Sequence, residues 1–509
     1  MSTSVQPQSE QVSFNAWKSL LVLTGTIVIF LYLNTAMSPA LPSIAKDFDT
    51  SLSTASWVMT AYMVSGAVMT VVMGRLSDLV GAKKMLMIMM LFFTVGTILA
   101  PFAQDIFTLI IIRVFQGIAV ASTPISTKII RDTFPKSKFP IGLSVYLAAY
   151  SGGMALGAVL GPVVAAGGGW QYNFYYIAPI AAILTFVSWK FVHVDESKKI
   201  HDEEENIDLE SQTDKPKKAK KQRIDFIGII TMAMTLVSFL IAITFSGSIA
   251  TNPISFVIPL VFGIVFLVIF LIVEKRVKNP LVNLKLVFHP VILIGNIIML
   301  MFGILQYIVI TGIPQLGSAP PPSGLGLDPI HVGLLQLAFG LSMMIFGPVF
   351  GILIAKRRHL NLKLLVPGIG ISAITFLMLL FFHYSSAGIN SSLFIFGIAG
   401  ALLPTTLINV IIGITPKEYT GISSAITNMM RIVGGAIGPV ITTVILATST
   451  IDITVDNVEG TYPSPVTFNI LFIVGLVMTI LSVFLALIMK HRATKLAAVA
   501  SATTPTGKK

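Results

Sequence analysis

Cysteine is absent from the 509 residues, which excludes disulfide scaffolds, thiolate metal sites and cysteine nucleophiles. Charge is scarce as well: Asp, Glu, Lys and Arg make up 11% of the chain against 54% hydrophobic residues, a balance that excludes an ordinary soluble globule. No Gly-x-x-x-x-Gly-Lys-[Ser/Thr] segment occurs, so any work must draw on gradients and not on ATP. No metal-spaced His pair and no nucleophile–base cluster is present, which argues against a membrane enzyme. Neither tail nor any linker can form the output domain of a non-transporting sensor. The stretch from Met1 to Ser13 lacks Lys and Arg, and no small-residue cleavage site comes after the first apolar run. That run is expected to be a retained span.

The chain is instead rich in long apolar runs. A helix needs about 20 such residues to cross the hydrocarbon core at a rise of about 1.5 Å per residue. Runs of that kind fall at 17–37, 54–73, 85–102, 107–128, 139–165, 174–193, 226–245, 254–272, 291–313, 332–355, 364–383, 392–414, 421–447 and 468–489. The expected fold class is therefore an all-α integral membrane protein of fourteen spans.

Lysine and arginine concentrate in cytoplasmic loops, which fixes the orientation. With both termini inside, the inner loops hold Arg75, Lys83 and Lys84, then Lys128, Arg131, Lys136 and Lys138, then Lys275, Arg276, Lys278 and Lys285, then Lys356, Arg357, Arg358 and Lys363, and finally Lys417. The outer loops are free of both residues except for Lys46. A missed or surplus span would invert the pattern downstream. The excess of positive charge is thus topogenic, and no nucleic-acid partner is implied. Trp17, Trp57, Trp170 and Trp189 fall near span ends, where amphipathic rings sit at headgroup level.

An internal repeat divides the chain. Gly157-x-x-x-Gly161-Pro162 in span five recurs as Gly434-x-x-x-Gly438-Pro439 in span thirteen. Glycines at i and i+4 share one helix face and permit close backbone approach, and the proline bends the helix beyond them. Parallel six-span repeats with a cavity between them are the architecture of large secondary transporters. The expected organisation is a six-helix bundle at 1–195, a charged cytoplasmic linker at 196–224, two inserted helices at 225–285, a second six-helix bundle at 286–489 and a cytoplasmic tail at 490–509. The linker passes from acidic to basic and reads as a solvated connector, with contact to anionic lipid as the alternative.

At the inner end of span two, Gly74, Arg75, Leu76, Ser77 and Asp78 lead through Gly81 to Lys83 and Lys84. Gly81 can supply the positive φ of a tight turn. Asp78, at a helix C-terminus, needs a cation or another helix N-terminus nearby. The segment is either a topogenic turn or a latch that gates the cavity.

This loop resembles the signature loop of the major facilitator superfamily. Arg113-Val114-Phe115-Gln116-Gly117 resembles the family's Arg-x-x-Gln-Gly motif, and Gly157 to Pro162 resembles the motif of its antiporters. Asp225 to Gly228, Glu274 through Pro280-Leu281 to Leu284, and Arg431 to Gly435 are similar to the fourteen-span drug:proton antiporter branch. The resemblance implies a major-facilitator fold of two six-helix bundles plus an inserted pair, and export of drug-like molecules by proton-coupled antiport across a prokaryotic cell membrane. It also implies that Arg113 assists proton coupling. The chain departs from the branch where an acid usually precedes Ala40-Leu41-Pro42: Leu33 and Asn34 stand there.

Ionisable groups away from span ends reduce to Arg113 and Arg431, with no carboxylate at mid-depth. A charge there costs about 2.5–3.5 kcal/mol on insertion scales and so faces a cavity or a partner. Arg does not deprotonate in proteins, which leaves Asp47, Asp105 or an acidic substrate to carry a proton. Two guanidinium groups without a carboxylate favour neutral or anionic solutes over permanent cations. Asn34, Tyr62, Ser65, Gln116, Tyr150, Asn296, Gln306, Gln336, Asn409 and Asn428 are the polar side chains expected along the pathway, each alternatively interhelical glue. No metal or organic cofactor is expected beside the proton gradient, and the partners are a small-molecule substrate and membrane lipid around a monomer. Uptake by a symporter or facilitator is the competing direction.

Overall fold

The computed structural model describes residues 12–135, 138–192, 226–245, 252–277, 287–356, 360–415, 420–455 and 458–503. The charged linker expected at 196–224 and the Pro280–Leu284 stretch lie outside these. Fourteen helices of at least 18 residues succeed one another: α1 Phe14–Asp47, α2 Trp57–Val80, α3 Ala82–Leu99, α4 Ile106–Thr133, α5 Phe139–Gly168, α6 Gln171–Phe191 and α7 Phe226–Thr244. The second seven are α8 Pro253–Arg276, α9 Pro290–Ser318, α10 Pro329–Lys356, α11 Leu360–Phe382, α12 Ser386–Ile414, α13 Thr420–Leu446 and α14 Pro465–Thr503. Lipid offers backbone groups no partners, so each span satisfies its own N–H and C=O groups as a helix.

The helices overrun the apolar windows because their ends stand in the headgroup zone. The first continues from the apolar run through Pro39 and Pro42 to Asp47, where Phe48 closes it by donating to Ile44 O. The last extends to Thr503, so most of the expected tail continues the helix. In α4 the residues Ile118–Ala121 tighten to a 3-10 segment. Pro124 comes shortly after and lacks the N–H that would bond one turn back. Between α2 and α3 the whole turn is Gly81, at φ +103°, a conformation that a side chain would strain. Gly74 and Asp78 lie in the last turns of α2, and the side chain of Asp78 is outside what the structure describes.

Not all ends match expectation. Trp17 and Trp189 are exposed to lipid at helix ends, but Trp170 is buried and spends its Nε1–H on Asp47 Oδ2 at 2.9 Å. It anchors α6 to α1 instead of marking the interface. The outer connection from α13 to α14 is a β-hairpin, β1 Thr450–Val455 paired antiparallel with β2 Val458–Pro463. Its first strand alternates Thr, Ile, Asp, Ile, Thr, Val, the period of a half-exposed β-branched strand. Ser323 Oγ donates to Pro463 O and ties the hairpin to the loop before α10.

The repeated glycines have repeated neighbours. A Cβ on Gly157 would meet Thr35 and Tyr32 of α1, and one on Gly161 would meet Ala36. A Cβ on Gly434 would meet Leu300 O of α9, and one on Gly438 would meet Tyr307. Thus α5 lies against α1 as α13 lies against α9, in backbone contact that only glycine admits. Helices α7 and α8 pack chiefly on each other; α7 also touches both α2 and α13, and Trp57 Nε1 donates to Thr244 Oγ1 at 3.2 Å. Most of α8 faces outward and apolar, as a lipid-facing helix does.

Overpacking at these contacts should cost roughly 1–3 kcal/mol. Gly157→Ala and Gly434→Ala are expected to lower the thermal unfolding midpoint of the purified protein, whereas Gly370→Ala, which has nothing within 4 Å, leaves it unchanged. Equal midpoints for all three variants would contradict the contact.

Candidate functional site

Two groups of polar side chains form around the arginines of the spans, with a tyrosine near both. In the first, Arg113 of α4 is fully buried and donates from Nε to Val58 O and from Nη1 to Gln116 Oε1, both at 3.0 Å. Gln116 Nε2 passes the chain on to Thr97 Oγ1 at 3.0 Å. The guanidinium carbon lies 4.3 Å from the centroid of the Tyr62 ring, which offers its negative face to the cation. A backbone carbonyl, an amide oxygen and a π-face hold the charge, with no carboxylate bonded to it.

The second group joins helices that are distant in sequence. Arg431 of α13 is partly buried; Nη2 donates to Tyr150 OH of α5 and to Asn428 Oδ1, each at 3.2 Å, and Nη1 donates to Gln306 Oε1 of α9 at 3.4 Å. It lies 5.8 Å from the Tyr150 ring centroid. Backbone crowding sets its height, because Gly303 leaves room for Arg431 O against α9.

Between the two stands Tyr307. Its hydroxyl accepts from Asn34 Nδ2 at 2.8 Å, and its phenol lies within electrostatic range of Tyr62, Tyr150 and Arg431. Asn34, beside the Leu33 that stands where an acid is usual, is thus bonded across to α9. Its Oδ1 and Arg113 Nη2 are buried without a hydrogen-bond partner among the described residues. A small cleft opens nearby between α1, α5, α9 and α10, bordered by Thr35, Ala155, Ile310 and Gln336.

Of the expected pathway residues, Arg113, Gln116 and Tyr62 meet in the first group, and Arg431, Tyr150, Gln306 and Asn428 in the second. Asn296 is drawn off to Thr427, from which its Oδ1 accepts at 2.8 Å. Asn409 donates to Thr405 O of its own helix at 2.8 Å and joins neither group. Gln336 donates to Ile310 O. Tyr307 and Thr97 escape the sequence reading, although Tyr62 and Tyr150 do not; the adjacency of Gln306 and Tyr307 is the available signal.

The side-chain hydrogen bonds from α1–α6 to α9–α14 among the described residues run from this layer outward: Arg431 to Tyr150, Asn34 to Tyr307, Ser38 to Ile310 O, Thr60 to Ala436 O, and Thr443 to Ser56. The seam is tied shut on the outer side. The two outer carboxylates weighed as proton carriers are also engaged. Asp47 accepts from Trp170, and Asp105 caps α4 by accepting from Thr108 N at 2.9 Å and from Thr108 Oγ1 at 2.6 Å. Those bonds from Thr108 hold the Asp105 carboxyl below its ordinary range.

Helices long and apolar enough to cross a membrane, arranged as two sets with Arg431 at the seam between them, are the architecture of a membrane transporter. The chain belongs to the Major Facilitator Superfamily, whose profile matches residues 23–224 and again 218–439. The superfamily consists of transporters. The chain is 24% identical over 457 residues to the multidrug resistance protein Stp of Mycobacterium tuberculosis, covering 89% of this chain and 80% of that protein. It is 26% identical over 457 residues to a uridine/deoxyuridine transporter of Lactococcus lactis subsp. cremoris, covering 85% and 84%. In fold it is similar to the human organic anion transporter MFSD10 (TETRAN), with a TM-score of 0.60 and 13% identity over 92% of this chain and 99% of that one.

Asn34→Ala and Tyr307→Phe should couple. A double-mutant cycle by denaturant titration in mixed micelles is expected to give about 0.6 kcal/mol and at most about 1.7, the range of hydrogen bonds between membrane helices. Additive single-variant effects would contradict the bond across the seam.

Proposed function

We propose that the protein exports small amphiphilic or drug-like molecules by alternating access, driven by proton antiport, and favours neutral or anionic solutes. The observation that carries this reading is Arg431, a guanidinium on the seam whose partners Tyr150, Gln306 and Asn428 are all neutral. A cation held by neutral oxygens keeps its full charge toward a solute, attracting anions and repelling permanent cations. The unpartnered Arg113 Nη2 and Asn34 Oδ1 supply a further donor and acceptor for a polar substrate group. Each costs about 1–3 kcal/mol while unmet, which a bound solute or water relieves.

In this reading the moving units are the bundles 1–195 and 286–489, with 225–285 carried between them and the loop from Gly74 to Lys84 as the inner gate. The hydrogen bonds outward of Arg431 then belong to the outward-closed state, and outward opening breaks them. Multidrug efflux is supported by the name of the mycobacterial relative and by the glycine motif of α5. Gradient-driven uptake is the second reading, favoured by the nucleoside transporter among the relatives. Because those names cover different solutes, the charge preference is argued from the site.

Three outcomes test this. In a strain lacking its own efflux pumps, export of an organic anion should exceed that of a lipophilic cation, and a protonophore should abolish it. Arg431→Gln should lower anion export roughly tenfold or more, the equivalent of one charged hydrogen bond, and affect a neutral solute far less. Robust cation export would contradict the charge preference, and protonophore-resistant accumulation would contradict the antiport. Because Asp105 is a helix cap held ionised, Asp105→Asn should leave the pH profile of transport in place; a displaced profile would make it the proton carrier.

A further inference from the structure

The inner end of the seam between α1 and α6 carries a feature that transport does not use. Lys18, in the second turn of α1, and Lys190, in the last turn of α6, place their ammonium groups 5.8 and 5.5 Å from the centroid of the same ring, Phe191. Lys18 also lies 4.4 Å from the Phe14 ring. The seam beneath is fixed, since Ser19 Oγ donates to Phe191 O at 3.3 Å.

Neither ammonium has an acidic partner among the described residues. The first turn of α1 holds no acid, and α6 contains no Asp or Glu along its length. Around the pair, Phe14, Trp17 and Trp189 are 74%, 42% and 60% exposed, an aromatic rim at the level where rings sit among headgroups. Long lysine stems can lie on such an apolar surface while their charged ends extend toward a headgroup layer. The α6 C-terminus presents the negative end of its dipole and favours the cations there.

We infer that Lys18 and Lys190 form a binding site for the headgroup of an anionic phospholipid of the inner leaflet. Two flexible ammonium groups converging on one ring can engage one phosphodiester, and the rim accommodates the glycerol and the upper acyl chains. Basic pockets between helices on the cytoplasmic side recognise lipids in this manner. A zwitterionic lipid carries its own ammonium group and offers less to such a pair.

The test uses the full chain, purified in detergent, with phosphatidylglycerol or phosphatidylcholine added at equal mole fraction. Thermal midpoint and lipid retained in native mass spectrometry are both read. Phosphatidylglycerol is expected to raise the midpoint more than phosphatidylcholine, and Lys18→Gln/Lys190→Gln should lose that difference and retain about tenfold less of it. Lys46→Gln, on the outer side, should behave as the unsubstituted protein. If the double variant does not fold, Lys18→Arg/Lys190→Arg, which preserves both charges, must keep the preference, and the single Lys190→Gln must weaken it. Equal response to the two lipids, undiminished phosphatidylglycerol retention in the variants, or an equal shift from inorganic phosphate would overturn the assignment.

Discussion

A guanidinium at mid-membrane must be answered by neighbours, and the interior of this protein is arranged around two such answers. Neither uses a carboxylate bonded to the arginine. Arg113 is met by Val58 O, Gln116 and the face of Tyr62, within the first six helices. Arg431 is met by Tyr150, Gln306 and Asn428, on three helices from both ends of the chain. The difference matters: the first arrangement is closed among α2, α3 and α4 and ties their packing together. The second bridges surfaces that must part if the seam is to open.

Backbone contact places the bridge. Glycine at 303, 434 and 438 lets α13 sit directly on α9, as glycine at 157 and 161 lets α5 sit on α1, so four helices converge with little side chain between them. The polar residues carried by these helices, Asn34, Tyr150, Tyr307 and Arg431, are thereby brought to one depth. Helices α7 and α8 stand outside this crossing, with α7 leaning on both α2 and α13.

Much of this is legible in the sequence because lipid imposes one-dimensional rules. Span number comes from runs of about 20 apolar residues, orientation from basic loops, and the paired crossings from Gly157-x-x-x-Gly161 and its repeat. The features that are not legible depend on partners remote in sequence. The bond from Asn34 to Tyr307 spans 273 residues, and the only local sign of Tyr307's polar role is the adjacent Gln306. Trp170 reads as an interfacial ring until Asp47 is seen to accept its N–H. The hairpin at 450–463 escapes a search for apolar length, because its strands alternate and are short.

The proposed preference for neutral or anionic solutes rests on an arginine at the seam whose charge its neighbours leave uncompensated. The most direct measurement is the affinity of the purified protein for two amphiphiles that share a skeleton and differ only in the sign of the head-group charge, read by calorimetry at constant pH. About tenfold or greater tightness for the anion is predicted, from one charged hydrogen bond to the guanidinium. Equal affinities, or tighter binding of the cation, would contradict it.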